Sequence, residues 1–71
     1  MFLSDRIRKI RVAKMLTQEQ VAQKCGISSS AYGQIERNAQ HSSYDTLKRV
    51  AEALSVSLLF LIDTENDKTV D

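Results

Sequence analysis

The sequence predicts an all-α fold in which five short helices close one small core. Three observations carry this expectation: apolar residues recur at spacings of three and four, hydroxyl residues stand just ahead of several such stretches, and the chain has no proline. At 71 residues it is a single domain near the lower edge of what folds alone, so the core must close efficiently and association can extend it. A content of 42% hydrophobic and 27% charged residues is that of a folded globular chain rather than a disordered one.

The first helix carries Leu3, Ile7, Ile10 and Arg11 along one stripe and ends near Met15, with Arg6, Arg8 and Lys9 expected to face outward. Thr17-Gln18-Glu19-Gln20 has the form of a capping box, in which the Thr17 hydroxyl accepts from the third helical N–H and Gln20 reaches back. The second helix therefore starts there, places Val21, Ala22 and Cys25 inward, and stops at Gly26, which can take the left-handed conformation. One residue later Ser28 caps a third helix, with Tyr32 and Ile35 on its inner face and Ala31 beside them. Two short helices joined by a tight glycine turn make a helix-turn-helix.

Residues 38–43 read as a polar connection, with Asn38 suited to a left-handed position after the helix. Ser43 caps a fourth helix whose Leu47, Val50, Ala51 and Leu54 form the clearest amphipathic stripe of the chain. Ser57 starts a short fifth helix through Leu58-Leu59-Phe60-Leu61-Ile62, after which residues 63–71 are polar and acidic and are expected to be a disordered tail.

The net charge of +1 hides an uneven distribution. Residues 1–49 hold nine Lys or Arg against four acids, and residues 50–71 hold one Lys against five acids, giving a basic half and an acidic end. Either a nucleic-acid-facing surface or a chance cluster of solvated charges accounts for that split. One cysteine cannot form an internal disulfide, and the single histidine, His41, belongs to no cluster with zinc-ligand spacing. No metal or other cofactor is expected, and a reducing cytoplasm is the expected compartment. There is no apolar run long enough for a membrane span. Paired carboxylates, a nucleophile–histidine–acid arrangement and a phosphate-cradling glycine loop are all missing from the pattern, so enzymatic chemistry is not expected.

The run from Thr17 to Asn38, TQEQVAQKCGISSSAYGQIERN, resembles the Cro and phage-repressor (XRE-like) family of helix-turn-helix transcriptional regulators. The resemblance extends back to Ile7, Ile10 and Arg11 and forward through Ser43, Thr46, Leu47, Ala51 and Leu54 to SVSLLFL. It implies a lambda-repressor-like DNA-binding domain over residues 1–62, with the helix-turn-helix at 17–37. It also implies a docking mode in which the third helix enters the major groove of double-stranded DNA and the second crosses the backbone.

On that resemblance Gln18 corresponds to a phosphate-contacting position at the exposed start of the second helix, where free N–H groups suit an anion. Ser28, Ser29, Ser30, Gly33 and Gln34 occupy groove-facing positions. Gln34 is the sharpest of them, because a glutamine presents donor and acceptor together to adenine, and Ser28 doubles as the helix cap. Gly33 costs about 1 kcal/mol in mid-helix relative to alanine, which either close approach to DNA or close packing explains. Arg37 with Asn38, Ser42 and Ser43 matches a second phosphate-binding segment. There Asn38-Ala39-Gln40-His41-Ser42 departs from the glycine, basic residues and proline that many relatives carry, and His41 reads as a solvated loop residue sooner than as a pH switch or metal ligand, with a phosphate contact as the other reading. The family commonly pairs the positions of Arg11 and Glu36 as an ion pair between the first and third helices.

Five consecutive apolar residues cannot all face inward on one short helix, so Leu58, Leu59, Phe60 and Ile62 are the candidate surface of a homodimer. A two-fold dimer would set two reading helices about 34 Å apart and select a palindromic operator. A second reading is an antitoxin or other interaction module whose partner is a protein bound by the acidic tail or the fifth helix, and a third is association without DNA.

Overall fold

The computed structural model describes residues 2–65. Its helices are α1 (Leu3–Ala13), α2 (Gln18–Cys25), α3 (Ser29–Arg37), α4 (Tyr44–Ala53) and α5 (Leu58–Ile62), with a single 3-10 turn over Ala39–His41 and no strand among the described residues. The all-α order expected from the sequence is the order found. The tail expected over 63–71 lies outside the described residues from position 66 onward.

Four helices begin at hydroxyl caps. Thr17 Oγ1 accepts from the Gln20 N–H at 3.0 Å while Gln20 Oε1 accepts from the Thr17 N–H at 2.8 Å, completing the capping box. Ser28, Ser43 and Ser57 accept from the N–H groups of Ala31, Thr46 and Phe60 at 3.1, 3.2 and 3.1 Å. Each cap of this kind contributes about 1 kcal/mol by satisfying an N–H that has no partner within the helix.

Three helices end alike. After α1, α2 and α4 the chain turns through a residue at positive φ, namely Met15 (60°), Gly26 (75°) and Ser55 (59°). The next N–H then reaches back five residues: Leu16 to Arg11, Ile27 to Ala22, and Val56 to Ala51. Leu16, Ile27 and Val56 thereby fold onto the core as its partly buried rim. Only Gly26 carries the residue type that makes such a turn legible in sequence; at Met15 and Ser55 tertiary packing holds a side chain in the left-handed region.

The core is built from Ile7 and Ile10 of α1, Val21, Ala22 and Cys25 of α2, Tyr32 of α3, Val50, Ala51 and Leu54 of the α4 end, and Leu61 of α5. Within it α2 packs on α3 and α4, and α1 packs on α3 and α5.

Three local expectations are corrected. Arg6, expected on the outer face, is 2% exposed. Its Nε and Nη2 donate to the Phe60 carbonyl at 3.2 and 2.7 Å, and its guanidinium lies 4.4 Å from the centre of the Phe60 ring. A five-residue helix has no spare turns, and its terminal carbonyls need outside donors, which a cation at the C-terminal end supplies with favourable charge. Asn38 is not left-handed but sits at φ −115°, because the chain continues into the 3-10 turn instead of reversing there. Inside that turn Ala39 is fully buried, so the polar connection carries a core residue.

Candidate nucleic-acid interface

The junction of α1, α2 and α3 is organised around one carboxylate. Glu36 is 4% exposed; its Oε2 accepts from Arg11 Nε at 2.9 Å and from the Tyr32 hydroxyl at 2.8 Å, and its Oε1 accepts from Arg11 Nη2 and Gln18 Nε2, both at 3.2 Å. Arg11 Nη1 also donates to the Leu16 carbonyl at 2.9 Å, which ties the α1–α2 turn to the same network. Burial on its own would raise the Glu36 pKa, but the hydrogen bonds from Arg11, Tyr32 and Gln18 outweigh it and hold the carboxyl below its ordinary range. The Arg11 pKa is raised, chiefly by its hydrogen bond to Glu36. Burial, then the hydrogen bond to Glu36, pushes the Tyr32 phenol up so that it stays a neutral donor. The pair is thus a bidentate, charge-assisted contact with its remaining lone pairs satisfied.

This network fixes the surface outside it. Gln18 heads α2, where the first N–H groups of a helix lack intrahelical acceptors. One Gln18 amide N–H is committed to Glu36, so the side chain lies across α3 instead of extending into solvent. Gly33 lies directly beneath and is buried: a Cβ there would be 3.4 Å from Arg37 Nη1 and 3.7 Å from Gln18 Oε1. The glycine expected on the groove face is therefore covered by the two residues expected to hold phosphate. Gln18 and Arg37, separate in the sequence-based reading, converge over it.

Along the outer side of α3, Ser29, Ser30 and Gln34 are exposed, as is the cap Ser28, whose Oγ is occupied by the Ala31 N–H. Asn38 is exposed and its Nδ2 donates to the Gln34 carbonyl at 3.2 Å, closing the α3 end. Ser43 Oγ caps α4 and also donates to Thr46 Oγ1 at 3.0 Å, while Ser42 is half-buried. Gln34, Asn38 and Ser42 line one concavity with Ala31, Ile35 and His41. His41 is the residue that the sequence left unplaced. No local spacing signals its position, because the 3-10 turn and not a continuous helix carries it there.

Two other features adjoin this surface. A cleft between α1 and α3 is lined by Ser4, Asp5, Arg8, Glu36 and Arg37, with Arg8 Nη2 3.6 Å from Asp5 Oδ1. On the opposite flank of α3, Cys25, Ile27, Ile35, Asp45, Thr46, Arg49 and Val50 surround a small cavity. Burial pushes the Cys25 thiol up, against the pull of Arg49, so it is a weak nucleophile that serves as a small core side chain.

The apolar run of α5 divides. Leu61 is fully buried and Leu58 packs partly against the core, whereas Leu59, Phe60 and Ile62 are 77%, 44% and 41% exposed. Of the four residues expected at a dimer contact, Leu58 is thus mainly spent on the protein's own interior. No helix among the described residues is long and apolar enough to cross a membrane.

The family described as Helix-turn-helix matches this chain over residues 7–61. The chain is 36% identical to the HTH-type transcriptional regulator YqaE of Bacillus subtilis strain 168 over 67 residues, which are 94% of this chain and 58% of that protein. It is 37% identical over 65 residues to the immunity repressor protein of Bacillus phage phi105, covering 92% of this chain and 45% of the repressor. A further relative, the HTH-type transcriptional regulator YobD of the same Bacillus strain, is 36% identical over 63 residues, 89% of this chain and 56% of its own. The chain spans about half the length of these relatives. No solved structure is significantly similar to it. The match runs from Ile7 in α1 to Leu61 in α5 and so takes in the Arg11–Glu36 junction and the α2–α3 pair together: the chain belongs to the XRE-like helix-turn-helix family of Cro and phage-repressor type.

Proposed function

We propose that this chain binds double-stranded DNA as a homodimer at a palindromic operator and regulates transcription from the promoter there. The observation that carries the reading is the edge formed by α2 and α3. Gln18 and Arg37 meet over Gly33, and Ser29, Ser30 and Gln34 stand exposed along the adjoining face of α3. The amide and guanidinium groups suit a backbone phosphate, and the α3 face then points into the major groove. Ser28, Asn38, Ser42 and Ser43 flank it: Ser28 and Ser43 offer a hydroxyl oxygen already engaged as a cap, so they position more than they read. Gln34 is the base-reading residue. No Lys or Arg lies between Ser28 and Ile35, so discrimination at guanine by a bidentate cation is absent from this face and DNA shape contributes more.

Such a short reading surface gains affinity from duplication. Leu59, Phe60 and Ile62 supply the self-complementary apolar contact, with the two copies related by a two-fold axis that the operator mirrors. A phage immunity repressor among the relatives is in keeping with repression by operator occupancy.

Selection of bound duplexes from a random pool tests the proposal: a two-fold symmetric consensus with half-sites about one helical turn apart is expected. On that consensus Gln34→Ala should relax preference at one position per half-site, at a cost of about 1–3 kcal/mol of discrimination. A pool that yields no enriched sequence refutes specific operator binding. Loss that is uniform across positions makes Gln34 a positioning contact.

A further inference from the structure

We propose that the cavity between the α2–α3 turn and α4 binds a small free amino acid with a branched apolar side chain, and that its occupation strengthens operator binding. The site stands on the cavity alone; its effect on the operator rests on the DNA-binding reading above.

The cavity measures about 230 Å³ and has two chemically distinct sides. Cys25, Ile27, Ile35 and Val50 supply an apolar wall drawn from α2, the turn after it, α3 and α4, while Asp45, Thr46 and Arg49 of α4 supply a polar one. Burial pushes the Cys25 thiol up, so the apolar wall stays uncharged. A cavity of about 150 Å³ takes benzene, so by proportion this one admits a molecule of about nine heavy atoms.

Asp45 and Arg49 stand one turn apart on α4, and both are exposed. At that spacing side chains share a helix face about 5–6 Å apart at Cβ, and an acid ahead of a base gains by pairing. Here the two form no ion pair with each other. Opposite charges therefore remain side by side at the polar wall. Thr46 Oγ1 accepts from Ser43 Oγ at 3.0 Å, which leaves the Thr46 O–H to donate. An α-amino acid matches this set: its carboxylate accepts from Arg49 and Thr46, its ammonium donates to Asp45, and its side chain lies against Ile27, Ile35 and Val50. Leucine and isoleucine have the size that the volume admits. Ile35 also lines the concavity that holds Gln34, so a molecule seated here bears on the reading helix from its other flank. It bridges α3, the turn before it and α4, and thereby completes ordering that DNA binding would otherwise require, which makes the two binding events cooperative.

The test titrates the full chain, without DNA, with leucine, glycine, isocaproate (leucine without its ammonium) and isoamylamine (leucine without its carboxylate), following the methyl resonances of Ile27, Ile35 and Val50 by nuclear magnetic resonance. Leucine should shift them saturably at millimolar concentration or below, glycine should leave them in place, and each one-charge analogue should bind about tenfold more weakly. Arg49→Gln and Asp45→Asn, each checked for an unchanged melting curve, should weaken leucine by about tenfold. Arg49→Gln should still bind isoamylamine as the wild type does, a selectivity that loss of fold would not give. No saturable shift at these methyls, or equal binding of leucine and either one-charge analogue, overturns the site. Operator affinity is then measured with and without saturating leucine, and a gain of about fivefold or more is expected. An unchanged affinity overturns the coupling while the site and DNA binding stand. A chain that binds leucine but enriches no duplex from the random pool refutes the DNA-binding reading and leaves the site standing.

Discussion

Substitution of Glu36 by glutamine keeps the side-chain shape and removes the charge on which three helices converge. The carboxylate accepts two bonds from Arg11, one from the Tyr32 hydroxyl and one from Gln18, all between 2.8 and 3.2 Å, and the Glu36 and Arg11 side chains are 5% and 13% exposed. A glutamine offers one oxygen in place of two and turns its own N–H groups toward donors, while the guanidinium stays buried without a counter-charge. Breaking such a pair costs about 3–5 kcal/mol. A chain of this length is held by roughly 4–11 kcal/mol in total, so the variant should be close to unfolding at room temperature. Urea denaturation followed by far-ultraviolet circular dichroism measures the loss; a value below about 1 kcal/mol would sink the reasoning, since that is the scale of an exposed pair. The pH dependence supplies an independent check. Because the folded-state pKa of Glu36 is depressed, its contribution is present above the unfolded-state pKa and is lost as pH falls through the folded one. Wild-type stability should therefore fall on acidification through and below the carboxylate range, and the gap to Glu36→Gln should narrow there. A gap that stays constant from neutral pH to about pH 3 would mean that the charge of Glu36 is not what stabilises the junction. The paired change Arg11→Met with Glu36→Leu should recover much of the loss, as apolar side chains of similar volume replace both charges.

Three further outcomes are expected. Ser55→Gly relieves a side chain held at φ 59° and should stabilise the fold by about 1 kcal/mol, which in a domain of this size raises the melting temperature by about 4–8 °C; a lower melting temperature would show that the Ser55 side chain contributes more than the strain it carries. Leu59→Glu, at a residue 77% exposed, should leave the melting curve of the monomer unchanged and abolish dimerisation in sedimentation equilibrium, so an unchanged dimer excludes α5 as the contact. Gly33→Ala adds a Cβ at ordinary contact distance from Arg37 and Gln18 and should raise helix stability by up to about 1 kcal/mol; destabilisation would mean that those two side chains cannot yield by a few tenths of an ångström.

What the sequence determined by itself is the set of local decisions. A hydroxyl three residues ahead of an unpaired N–H starts α2, α3, α4 and α5; Gly26 takes the left-handed turn of the helix-turn-helix; and the stripe of Leu47, Val50, Ala51 and Leu54 orients α4. Each depends on neighbours within four residues, so the pattern alone specifies it. Gln18, Ser29, Ser30, Gln34 and Arg37 were legible as candidates through the family pattern, but how they stand to one another was not. Only the tertiary structure decided that Arg6, which borders the stripe of Leu3, Ile7 and Ile10 on its Ile10 side without belonging to it, turns inward: the Phe60 carbonyl that receives it is 54 residues away. The same holds for Ala39, buried inside a polar stretch because the 3-10 turn packs against α1, and for Met15 and Ser55, left-handed without glycine because Leu16 and Val56 must reach the core. The Glu36 network gathers residues from α1, α2 and α3, and the concavity sets His41 beside Gln34. Contacts made across the chain depend on how helices meet, and no spacing along a single helix records that.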